Sequence, residues 1–136
     1  MHHYEKVSSD EAMRLLNYAV AEAKKFGKPL AAAVCGPEGE LIGFIRMDGT
    51  PPSSARNAQN KAYTAAINVI ETFKLGERMR TKDNPAFWGD PKMTGFGGGV
   101  PILHEGKPIG GFGVSGLPEA DDIIIATGAV KEVFGE

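Results

Sequence analysis

Apolar residues recur at helical spacing near the N-terminus: Met13, Leu16, Val20 and Ala23, with Leu15 and Ala19 beside them. This pattern predicts an amphipathic helix. Ser8 and Glu11 form a capping box at its start, Lys24 and Lys25 suit its C-terminal dipole, and Gly27 can end it in a left-handed conformation. Two short apolar runs follow, Pro29 to Cys35 and Leu41 to Met47, separated by the turn Pro37-Glu38-Gly39-Glu40. They read as a hairpin whose strands are both buried on at least one face. Pro51 and Pro52 end extended structure, because proline cannot donate to a ladder.

A second helix is expected from Ser53 or Ser54. Ala55, Ala58, Ala62, Ala65 and Ala66 give it high propensity, and their small side chains let another backbone approach. Ile67 to Phe73 extends the apolar stripe, and Leu75 to Met79 either continues it or starts a short helix after Gly76. From Arg80 to Pro91 the pattern fades into a surface loop that carries Trp88. Val100 to Leu103, the turn His104-Glu105-Gly106-Lys107 and Pro108 to Ser115 predict a second hairpin. A last helix opens at Leu117-Pro118. Glu119, Asp121 and Asp122 crowd its first turn, and Ile124, Ala126, Ala129, Val130, Val133 and Phe134 form its apolar side. Hairpins rather than βαβ units argue for an antiparallel sheet with packed helices, an α+β fold.

The 136 residues fit one domain, 1–136, large enough to fold without a disulfide or metal. The net charge of −2 leaves no basic face, which argues against a nucleic-acid partner. No apolar leader or membrane-length run is visible, so no membrane partner is expected and the cytoplasm is the expected location. Cys35 lies in the run Leu30-Ala31-Ala32-Ala33-Val34-Cys35 and reads as a small buried hydrophobe, compatible with a reducing compartment. His2 and His3 sit at a terminus and His104 in a turn, and no ligand spacing supports a metal site.

Glycine carries the more suggestive chemistry. Gly97-Gly98-Gly99 can point backbone N–H groups into an anion-binding nest, although the segment lacks the Gly-Lys-Ser/Thr of a phosphate loop. The alternative is a tight bend where another backbone comes close. Gly111 and Gly113 leave one strand face bare, a shelf for a flat ligand beside a helix N-terminus. Ser115 lacks the spacing of a nucleophile elbow and has no histidine partner. Arg46 and Asp48 end an apolar strand before the proline loop. Lys61 stands among alanines, either snorkelling to solvent or placing a cation at a pocket mouth toward a carboxylate ligand.

Arg46-Met47-Asp48-Gly49, Asn60-Lys61-Ala62-x-Thr64-Ala65, Gly98-Gly99-Val100-Pro101-Ile102, Ile109-Gly110-x-x-Gly113-Val114-Ser115-Gly116 and Asp121 to Gly128 occur in the order typical of the GlcG/HbpS-like family. The sequence resembles this haem-degrading domain family, as does the C-terminal domain of PduO-type proteins, from about residue 8 onward. The resemblance implies profilin-like α/β/α layers around a five-stranded antiparallel sheet and a homo-oligomer, dimer or higher. It also makes haem or another tetrapyrrole the leading ligand. No histidine stands at an interior position to hold the iron, which leaves Met47, Met79, Met93, Tyr63 or Lys61 as substitutes. Three functions stay open. One is a small-molecule-binding domain using Arg46, Asp48, Lys61, Gly97, Gly98, Gly99, Ser115 and Asp121. Another is a small isomerase or lyase using Lys61, Arg46 and Asp121 around a carboxylate substrate. The third is an accessory subunit without chemistry.

Overall fold

The computed structural model describes residues 1–135. Its elements run α1 (Ser9–Phe26), β1 (Ala31–Cys35), β2 (Leu41–Arg46), α2 (Pro52–Asn68), α3 (Thr72–Thr81), a 3₁₀ turn (Pro85–Trp88), β3 (Gly99–His104), β4 (Lys107–Ser115) and α4 (Glu119–Phe134). The fold is α+β, with an antiparallel sheet in the order β2-β1-β4-β3. Among the described residues the sheet has four strands, not the five that the resemblance implied. The stretch that could have added one, between α3 and β3, is interrupted by Pro85 and Pro91 and curls into the 3₁₀ turn instead. Near the N-terminus, Val7 donates to the Ile109 carbonyl at 2.9 Å without building a ladder.

Strand alternation sorts the side chains into two layers. In β1, Ala32 and Val34 face α1 and α4 and join a core with Leu15, Leu16, Ile102, Phe112, Val114 and Ile125. Ala31, Ala33 and Cys35 face α2, where they meet Ala55, Ala58, Ala62 and Ala66. Cys35 is a buried free thiol, and burial pushes its pKa up to about 11, so it is chemically quiet at neutral pH.

Several expectations change. The buried stripe of α1 is Ala12, Leu15, Leu16, Ala19 and Ala23, while Met13 faces solvent. The capping box at Ser8 and Glu11 and the left-handed Gly27 are present. β2 is a sheet edge rather than a buried strand, and it exposes Leu41, Phe44 and Ile45. The apolar run Ile67 to Phe73 does not continue α2, because the helix ends at Asn68 and Val69 turns left-handed (φ 51°, ψ 50°). Ile67, Val69 and Phe73 are left at the surface, and α3 starts before Gly76 rather than after it.

The bare face at Gly111 and Gly113 is not a ligand shelf, because α2 lies directly on it. A Cβ at Gly113 would stand 2.3 Å from the Ala58 carbonyl oxygen and 2.5 Å from the Ala62 nitrogen, and one at Gly111 2.4 Å from the Ala62 oxygen. The alanines of α2 and the glycines of β4 therefore form one close helix–sheet seam.

Candidate functional site

That seam carries one long side chain inward. Lys61 shares the sheet-facing side of α2 with Ala58 and Ala65, so close packing of α2 on β4 forces it into the interior. It is only 3% exposed, which rules out snorkelling. Its Nζ donates to the Val114 carbonyl at 2.8 Å and to Asp122 Oδ2 at 3.3 Å. Asp122, 2% exposed, opens the buried stripe of α4 that continues through Ile125, Ala126, Ala129 and Val130. Its other oxygen accepts the Leu117 N–H at 3.1 Å. Burial pushes the Lys61 amine down and the Asp122 carboxyl up to about 6, and their mutual attraction opposes both displacements.

The pair lies at the floor of a cleft of about 230 Å³, lined in part by Ser54, Asn57, Phe96, Gly97, Ser115 and Glu119. Gly98, at φ +119°, crosses above the ammonium. A Cβ there would lie 3.0 Å from Nζ and 2.6 Å from the Val114 oxygen, so glycine is needed for both space and conformation. The triglycine segment is not an open nest: Gly97 N–H donates to Glu119 Oε2 at 2.8 Å and Gly99 N–H to Thr72 Oγ1 at 2.9 Å.

Lys61, Gly97 and Ser115 thus line one cleft, with Gly98 above it and Gly99 packed against the Lys61 backbone. Arg46 and Asp48 are not among the lining residues. Arg46 sits on edge strand β2 and donates to the Thr50 carbonyl at 3.0 Å, and Asp48 is exposed in the following turn. Asp121 is half-buried and also outside the lining; its neighbour Asp122 occupies the interior. Sequence reasoning treated Asp122 only as a helix-start charge and passed over Ser54, Asn57, Phe96 and Glu119 as site residues. The signal for Asp122 was present: stepping back four residues from Ala126 reaches it, not Asp121.

A second cavity, about 340 Å³, shares no lining residue with the first. Val69, Ile70, Val100, Pro101 and Val130 form its apolar walls, and Glu71, Lys74 and Thr127 its polar ones. Val69, a β-branched residue held left-handed, forms part of its wall. The side chains considered as iron ligands are committed elsewhere. Met47 Sδ accepts the Leu30 N–H, Met93 Sδ accepts from Asn68, the Tyr63 hydroxyl donates to Asp90, and Met79 packs on Gly95. Among the described residues no group of three or more His, Cys, Asp or Glu could hold a metal ion, and no helix is long and apolar enough to cross a membrane.

The family model for haem-degrading HbpS-like proteins matches residues 7–131. The chain belongs to the HbpS-like family. Protein GlcG of Escherichia coli K12 is 37% identical over 109 residues, covering 80% of this chain and 81% of GlcG. The crystal structure of a double mutant of Streptomyces reticuli HbpS superposes with a TM-score of 0.90 at 28% identity, covering 100% of this chain and 92% of that one. A PduOC–haem complex superposes with a TM-score of 0.86 at 26% identity, covering 92% and 93%. As an HbpS-like protein, the chain shares its α+β layering with these structures across nearly its whole length.

Proposed function

We propose that this chain is a small-molecule-binding domain whose ligand is haem or a related tetrapyrrole, held in the apolar groove between α3, β3 and α4. The likeness to the PduOC–haem complex supports the ligand class. The two cavities differ in their fit to such a molecule. The Lys61 cleft is small and polar, and its one nitrogen base is tied to Asp122. The groove is the better match, because its walls of Val69, Ile70, Val100, Pro101 and Val130 suit a flat apolar ring. Lys74, ion-paired with Glu71 at 3.0 Å on the rim, can turn to a propionate. The strained backbone at Val69 is the observation that carries this assignment, since such strain concentrates at ligand sites. No histidine, cysteine or methionine lines the groove, so ring burial rather than imidazole ligation would be the source of affinity. Haem, once bound, supplies redox chemistry at its iron; the chain's residues hold the ring and exclude water from one face.

Hemin titration tests this. A shifted Soret band that saturates stoichiometrically is expected. It should persist when His2, His3 and His104 are all changed to Ala, and Lys74→Glu should weaken binding about two- to fivefold. A spectrum matching free hemin, or binding abolished by the histidine changes, overturns the reading.

A homo-oligomer, dimer or higher, is part of the same proposal. Edge strand β2 offers unpaired backbone groups beside Leu41, Phe44 and Ile45, an arrangement that favours pairing with another strand. Light scattering should give a mass above one chain, and Phe44→Lys should lower it. A cytoplasmic location agrees with the free Cys35 thiol.

A further inference from the structure

We propose that the Lys61 cleft is a second site, at which the Lys61 amine condenses with a short, uncharged aldehyde or ketone to form an imine. This is independent of the apolar groove and of haem.

Three observations lead there. Lys61 is buried, yet it lines an open cleft, and Gly98 passes so close that a Cβ there would lie 3.0 Å from Nζ. A carboxylate oxygen stands 3.3 Å away and a carbonyl oxygen 2.8 Å away, so a proton acceptor is in place beside the nucleophile. The charges facing the cleft are one positive, Lys61, against two negative, Asp122 and Glu119. A ligand bearing its own carboxylate meets a site that is already net negative. This reverses the expectation of a cation facing a carboxylate. The hydroxyls of Ser54 and Ser115 and the amide of Asn57 suit a small molecule that makes neutral hydrogen bonds, and about 230 Å³ has room for one.

The step balances without a cofactor. Asp122 takes a proton from the Lys61 ammonium, and the freed Nζ lone pair forms a bond to the carbonyl carbon. The carbonyl π pair moves to oxygen, which takes the proton back from Asp122. Asp122 then takes a second proton from nitrogen and passes it to that hydroxyl; the nitrogen lone pair forms the C=N bond as the C–O bond breaks, and the oxygen leaves as water carrying two of the three original ammonium hydrogens. The third stays on nitrogen in a protonated imine. The product keeps one positive charge on nitrogen, so it stays paired with Asp122. Desolvation makes the neutral amine easier to reach here than on any exposed lysine.

The test uses the unmodified full chain. Protein is incubated near neutral pH with limiting propanal or glycolaldehyde, reduced with cyanoborohydride, and mapped by peptide mass spectrometry. One adduct per chain on Lys61 is expected, ahead of the far more exposed Lys25 and Lys74. Glyoxylate, small but charged, should label Lys61 at least about tenfold less. Asp122→Asn should slow Lys61 labelling by about tenfold or more while leaving the surface lysines unchanged. If that variant does not fold, the neutral-versus-charged comparison on the natural chain still decides. Labelling confined to exposed lysines, no labelling at all, or equal labelling of Lys61 by glyoxylate overturns the proposal. Hemin binding does not enter any of these readouts.

Discussion

Replacing Asp122 with alanine is expected to destabilise the fold by about 3–5 kcal/mol, measured by urea unfolding. The variant leaves the Lys61 ammonium buried with the Val114 carbonyl as its remaining acceptor, and it orphans the Leu117 N–H. Such a charge is more costly than the pair it came from, because Coulomb attraction no longer offsets desolvation. The double change Lys61→Met with Asp122→Leu removes both charges and fills the space with apolar atoms. It should cost less than Asp122→Ala alone, with about 1–3 kcal/mol remaining from the unpaired Leu117 N–H. Asp122→Asn keeps an acceptor for that N–H and should fall between them. If the double variant were the least stable of the three, the pair would be a net source of stability.

Gly113→Val should be the most damaging change on the sheet, lowering stability by about 3 kcal/mol or more. Its Cβ would run into the Ala58 oxygen and the Ala62 nitrogen, which are backbone atoms and cannot rotate away. Helix α2 would have to lift from β4, taking Lys61 out of line with Asp122. The same variant should therefore lose Lys61 imine labelling even under conditions where it remains folded. Gly106→Ala in the β3–β4 turn is the matched control. Nothing lies within 4 Å of its Cβ, so only the cost of a left-handed alanine, about 1–2 kcal/mol, is expected. Equal losses at the two positions would mean that the seam is looser than its distances imply.

Much of the architecture was legible beforehand for local reasons. The capping box at Ser8, the stop at Gly27, and the turns at Pro37–Glu40 and His104–Lys107 act over a few residues, and the sequence displays them directly. Paired motifs such as Gly98-Gly99-Val100-Pro101-Ile102 and Gly113-Val114-Ser115-Gly116 also tied the chain to its family. The number of strands was not legible, because whether residues between α3 and β3 pair depends on a neighbouring edge. The exposure of β2 has the same origin: Leu41, Phe44 and Ile45 read as buried until the strand order puts them outermost.

The site shows the same division. Lys61 among the alanines was marked as unusual by sequence alone, and so were Gly97, Gly98, Gly99 and Ser115. Arg46 and Asp48 were grouped with them because they end a strand; Arg46 Nε donates to the Thr50 carbonyl, Asp48 faces solvent, and neither lines the Lys61 cleft. Composition and periodicity determined the elements, their order and the odd placement of one lysine, since these follow from short-range sterics and from which residues avoid water. Only the tertiary structure decided what that lysine meets. Its partner lies 61 positions along the chain, and the glycines that look like a ligand shelf are the floor on which α2 rests. A close helix–sheet contact is a property of two surfaces brought together. Neither the alanines nor the glycines specify it until both are in place.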